Sequence, residues 1–110
     1  LHGVDGYRGS AVVDLSGEVL VQDAVEPDLD LAVTGAVAFD LFRKAMKTAR
    51  DSDLGSCREL LLTSTGGSLL CVSPPGERFC AVVLLGAEGN RALAKISLER
   101  IMPDLETALG

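Results

Sequence analysis

The chain is 110 residues long, 47% hydrophobic, 24% charged and 4% aromatic, with no tryptophan and a formal net charge of −6. That length makes a single domain over residues 1–110, with one core built mostly of aliphatic side chains, and the hydrophobic share is too high for a disordered acidic tail. The acidic balance argues against a nucleic-acid binder, which carries a basic face, and against attachment to an anionic membrane surface.

The three cysteines, Cys57, Cys71 and Cys80, form no CxxC pair, and His2 is the only histidine. A zinc site needs about four Cys, His or carboxylate ligands, and the spacing offers no such set. An odd cysteine count without a disulfide framework points to a reducing compartment, the cytoplasm. Unbroken apolar runs fall far short of the ~18 residues that span a bilayer. No signal-peptide pattern opens the chain, and Leu1 in place of methionine reads as a processed N-terminus.

In chain order, Gly3, Gly6 and Gly9 read as turn glycines leading into a strand over 8–15. Asp14 to Gly17 is a turn with Asp and Gly at the ends that turn chemistry favours. A returning strand over 18–25 completes a β-hairpin. Pro27 breaks it, and Asp28 or Asp30 caps a helix over 29–50. Leu31, Ala38, Phe42, Ala45 and Ala49 share one helical face. Ala32, Phe39 and Met46 widen the stripe on one flank, and Val33, Val37 and Leu41 on the other. The first half is apolar nearly all round, so it is covered on two sides, by a core and by a partner helix. The second half carries Arg43, Lys44, Lys47 and Arg50, whose ordinary reading is cations near a helix C-terminus.

A polar loop follows. The spacing predicts strands over 57–65, 68–73 and 78–85, joined by a tight Gly66-Gly67 turn and by Pro74-Pro75-Gly76-Glu77. The last strand is nearly all apolar and belongs in the middle of the sheet. A final helix runs from about Asn90 with Ala94, Leu98, Ile101, Leu105 and Ala108 on one face, and Pro103 should kink or restart it. The order ββ-α-βββ-α with short hairpins makes an α+β domain, a mostly antiparallel five-stranded sheet flanked by helices.

Enzyme signatures are missing. There is no phosphate-binding G-x-x-x-x-G-K-[ST] loop and no G-x-S-x-G elbow, and a serine triad would have to use His2 at a chain end. Paired-carboxylate or lysine chemistry has no residues singled out for it. Symmetric pairing across Pro74 to Glu77 would set Cys71 directly opposite Cys80, at a Cα separation of ~4.5–5.5 Å that overlaps the disulfide range. In a reducing compartment the ordinary reading is two thiols packed as small hydrophobes.

The opening Gly3-Val4-Asp5-Gly6, then Ser10-Ala11-Val12-Val13-Asp14 and Gly17-Glu18-Val19-Leu20, resembles the first hairpin of Roadblock domains. The long middle helix, Leu69-Leu70-Cys71-Val72, Ala81-Val82-Val83-Leu84-Leu85 and the closing Gly89-Asn90-Arg91 helix follow in that family's order over nearly the whole chain. The resemblance implies a dimer, third strands edge to edge and middle helices side by side. The residues so placed are Ala32, Val33, Ala36, Val37 and Phe39 on the helix and Arg58, Leu60 and Leu62 on the strand. It also implies a platform without chemistry or cofactor of its own, most often for a Ras-like small GTPase. Helical phase puts Asp40, Arg43, Lys44 and Lys47 on the ridge that would meet it. Two departures stand out: the family usually has a helix before the first hairpin, and Pro103 interrupts the last one. The competing readings are an adaptor subunit of a larger motor or signalling complex without nucleotide sensitivity, and a small-molecule sensor. The few aromatics favour the sensor least among binding modules, and an enzyme is the least favoured class of all.

Overall fold

The computed structural model describes residues 3–76 and 78–109, so readings placed on Leu1, His2 and Glu77 lie outside it. Its elements are β1 (Tyr7–Asp14), β2 (Val19–Ala24), α1 (Leu31–Asp51), β3 (Glu59–Ser64), β4 (Gly67–Val72), β5 (Phe79–Gly86) and α2 (Arg91–Leu109). The strands form one five-stranded sheet in the order β2-β1-β5-β4-β3, every neighbouring pair antiparallel. The α+β class and element order match the sequence reading, and the apolar β5 is central.

The strand period of two sends alternate side chains to opposite faces. Ala11 and Val13 of β1 meet Cys71, Cys80 and Val82 on one face, under Ala38, Phe39, Phe42 and Met46 of α1. Val12, Leu70, Ala81 and Val83 face the other way, under Ala94, Leu98 and Met102 of α2. The domain is thus three layers with a core on each side of the sheet.

Local chemistry sets the connections. Asp14 Oδ1 accepts from the backbone N–H of Ser16 and Glu18 and from the Ser16 hydroxyl, which turns β1 into β2. Those bonds hold its carboxyl below the usual carboxylate range. Asp30 caps α1 through the Val33 N–H, at 3.2 Å. Gly35 faces the sheet, where an added Cβ would lie 3.1 Å from Val19 Cγ2 and 3.3 Å from Val13 Cγ2. The missing side chain lets α1 sit close against β1 and β2.

Four details differ from the sequence reading. Cys71 pairs with Val82 rather than Cys80, because β4 stops at Val72 opposite Ala81 and the connection to β5 is not symmetric about Pro75-Gly76. The two thiols still point to the same face, fully buried and free. The hydrogen bond with the neighbouring Cys71 thiol, and then burial, push the Cys80 thiol well above the ordinary thiol range. The β3–β4 turn is Thr65-Gly66, with Ser64 opposite Gly67. Gly67 opens β4 at φ +154°, where a Cβ would come within 2.2 Å of the Leu85 carbonyl oxygen. Third, α2 continues through Pro103 to Leu109 as one helix, so the proline does not restart it. Finally, Phe39 is only 4% exposed and belongs to the core beneath α1, so it is not available to a partner helix. Its phase, nearer Met46 than Ala36, turns it to the sheet.

Candidate functional site

The outward face of α1 changes character along its length. Val33, Val37 and Leu41 follow one another at i+4 spacing and are 59%, 66% and 37% exposed, with Ala32 and Ala36 exposed beside them. Large aliphatic side chains left this open on one stripe form a surface that favours being covered. One turn on, the stripe becomes charged. Asp40 Oδ1 accepts from Arg43 Nη2 at 2.6 Å, and its Oδ2 lies 3.2 Å from Lys44 Nζ. The two cations hold the Asp40 carboxyl below the usual carboxylate range. Arg43 also stands over the Phe39 ring, 6.0 Å from its centroid, and Lys47 pairs with Asp51. All of these pairs are exposed, and exposed pairs contribute little. An incoming carboxylate can therefore take over Arg43, Lys44 or Lys47 at small cost.

At one edge the sheet ends at β3, which has no strand beyond it among the described residues. Because α1 lies chiefly over β1 and β2, the α1-side face of β3 is thinly covered. Leu60 packs half-buried against the core there, while Leu62 is 42% exposed. An uncovered strand edge and an uncovered aliphatic helix stripe are each a liability in a lone chain. Among the described residues no three or more His, Cys, Asp or Glu side chains gather to hold a metal, and no helix is long and apolar enough to cross a membrane.

Two uncharacterized proteins of Methanocaldococcus jannaschii, MJ0310 and MJ1340, are each 30% identical to the chain over 100 residues, 91% of this chain and 85% of theirs. The chain belongs to one family with them. No protein-family model matches the sequence. Among solved structures, a Roadblock/LC7 domain from Streptomyces avermitilis is 20% identical, superimposes with a TM-score of 0.76, and covers 96% of this chain and 90% of its own. Myxococcus xanthus MglB is 12% identical with a TM-score of 0.82, covering 94% of this chain and 83% of its own. This is a Roadblock fold. A further MglB structure, with a tetrameric arrangement, is 16% identical with a TM-score of 0.76 over 86% of this chain and 71% of its own.

On this Roadblock scaffold the residues singled out in the sequence separate into three groups. Asp40, Arg43, Lys44 and Lys47 are brought together as one polar patch on α1. Ala32, Val33, Ala36 and Val37 precede it as an apolar patch on the same outward face, and Phe39 is withdrawn into the core. Leu60 and Leu62 share the α1-side face of β3, whereas Arg58, exposed just before that strand, lines a cleft beside α2. Leu41 extends the apolar patch and was legible from its spacing behind Val33 and Val37. Gly35 was not singled out; a glycine inside a helical pattern is the signal of close approach.

Proposed function

We propose that this chain is a non-enzymatic, dimeric, cytoplasmic platform that binds a Ras-like small GTPase and modulates its nucleotide state or location. The observation that carries the reading is the divided outward face of α1, aliphatic over Val33 to Leu41 and cationic over Arg43 to Lys47, on a Roadblock fold. The aliphatic part and the β3 edge supply a self-complementary seam, as a two-fold contact requires. The tetrameric arrangement of one MglB structure supports self-association in a chain of this fold. The cationic part supplies exchangeable ion pairs for an acidic partner surface, which favour encounter and register.

Regulation on this reading works by preference for one conformation of the partner's switch loops, a population shift. Arg43 is held by Asp40 and by the Phe39 ring, and no arginine-finger role is assigned to it. The test is binding of the purified chain to the Ras-like GTPases of its own cell, each loaded with GDP or with a non-hydrolysable GTP analogue. Preferential binding to one nucleotide form, weakened by Lys44→Glu with Lys47→Glu, supports the regulator. Equal binding in both forms supports an adaptor instead. Binding to none of them ends the proposal.

A further inference from the structure

On the sheet face away from α1, a cleft of about 460 Å3 opens between one edge of α2 and the sheet end formed by β3 and β4. That volume falls in the range of small-ligand sites, roughly 300–1,000 Å3. Its floor is apolar. Met102 and Pro74 are buried, and Val72 packs against the same core. At one end Lys95 Nζ reaches from α2 to Glu59 Oε1 on β3, 2.9 Å away, so these two charges answer each other and tie the walls together.

Among the described residues the other charges of the lining are not answered by an ion pair. Glu99 and Glu106 stand on the α2 rim, two helical turns or ~10 Å apart, and Arg58 stands on the β3 rim. None of the three makes an ion pair among the described residues, although Glu99 acts through space on Lys95. Two carboxylates on one wall and a guanidinium on the other thus face a shared apolar trough.

We infer that this cleft binds a short peptide through its free termini. The peptide carboxylate pairs with the Arg58 guanidinium, whose planar fork matches it in two hydrogen bonds. The peptide ammonium lies against Glu99 or Glu106, and an aliphatic side chain covers Met102, Val72 and Pro74. The charges favour this class over others of similar size. A nucleotide's phosphates would meet the two glutamates, a fatty acid would leave both glutamates unanswered, and a polyamine would leave Arg58 so. The site lies on the opposite face of the sheet from the α1 patch and does not depend on any GTPase.

The test is calorimetric titration of the full chain with the tripeptide alanyl-leucyl-alanine, with free ends and with acetylated and amidated ends. The expected result is saturable one-to-one binding of the free tripeptide. Arg58→Gln, Glu99→Gln with Glu106→Gln, or capping of the peptide ends should each weaken it about tenfold, as loss of a charged hydrogen bond does. The varied side chains lie at the surface, and unchanged circular dichroism checks that the variants fold. Arg58→Lys should retain part of the affinity, separating lost charge from lost shape. No saturable binding at millimolar peptide, or equal binding by the variants and the capped peptide, overturns the inference.

Discussion

Tyr7 shows how one side chain joins packing to ionisation. It is the only tyrosine, and it opens β1 with its ring buried in the α2-side core. Its hydroxyl lies 2.7 Å from Ser10 Oγ and donates to Asp23 Oδ2 on β2, also at 2.7 Å. Burial, then the hydrogen bond and charge of Asp23, push its pKa up to about 12. Folding therefore favours the neutral phenol. The stability this contributes is complete below the unfolded pKa of about 10 and is lost as pH rises from there through the folded value. An absorbance titration of the native chain should show one phenolate transition near pH 12, moving to about 10 in denaturant. The urea midpoint should fall over the same window, and Tyr7→Phe should flatten that fall. A native transition near 10 would mean that the ring is open to water and that Asp23 does not hold it. The sequence placed Tyr7 just outside the first strand and hid this network, because the Asp23 contact depends on the β1–β2 register. That register contains a bulge, with Val12 opposite Val21 and Val13 opposite Val19.

Elements were more legible than the registers between them. Apolar periodicity found all seven elements in order, since burying one face of a strand or helix forces that period. Both β hairpins on the β3 side were misplaced for one reason: glycine and proline mark a turn without fixing which residues pair. Gly66-Gly67 read as the turn, whereas Gly67 belongs to β4. Phe39 is the comparable case on α1, where apolar residues outnumber those the core takes but Phe39 itself packs to the sheet. At Pro103 the element proved stronger than its breaker. Met102 and Leu98 are buried before it, Leu105 and Leu109 pack beyond it, and together they carry α2 across the gap. The proline still removes one backbone donor at an exposed position, and an interior proline costs a helix about 3 kcal/mol, partly offset by the stiffer unfolded chain. Pro103→Ala should therefore stabilise the fold by about 1–2 kcal/mol, read as a higher urea midpoint at unchanged m-value. A lower midpoint would show that the packing of α2 depends on a bend at this residue.

At the scale of the whole molecule, the α1 side leaves aliphatic side chains of two elements uncovered. Half-exposed Val33 and Val37 on the helix and Leu62 on the sheet edge belong to different elements, yet all open on the same side. Covering a valine that is more than half exposed is worth roughly 1–2 kcal/mol, and a two-fold contact counts every residue twice. Sedimentation equilibrium at micromolar concentration should give twice the 11.5 kDa chain mass. Val33→Asp with Val37→Asp should give the single-chain mass with circular dichroism unchanged, because neither side chain supports the protomer's own core. Leu62→Lys separates the two halves of the seam. If the strands meet edge to edge, a charge there should also weaken association, as lysines do on natural sheet edges. If only the helices meet, that variant should stay dimeric. A wild-type chain that sediments at single mass would remove the dimer from the proposed function and leave the α1 stripe to a different protein.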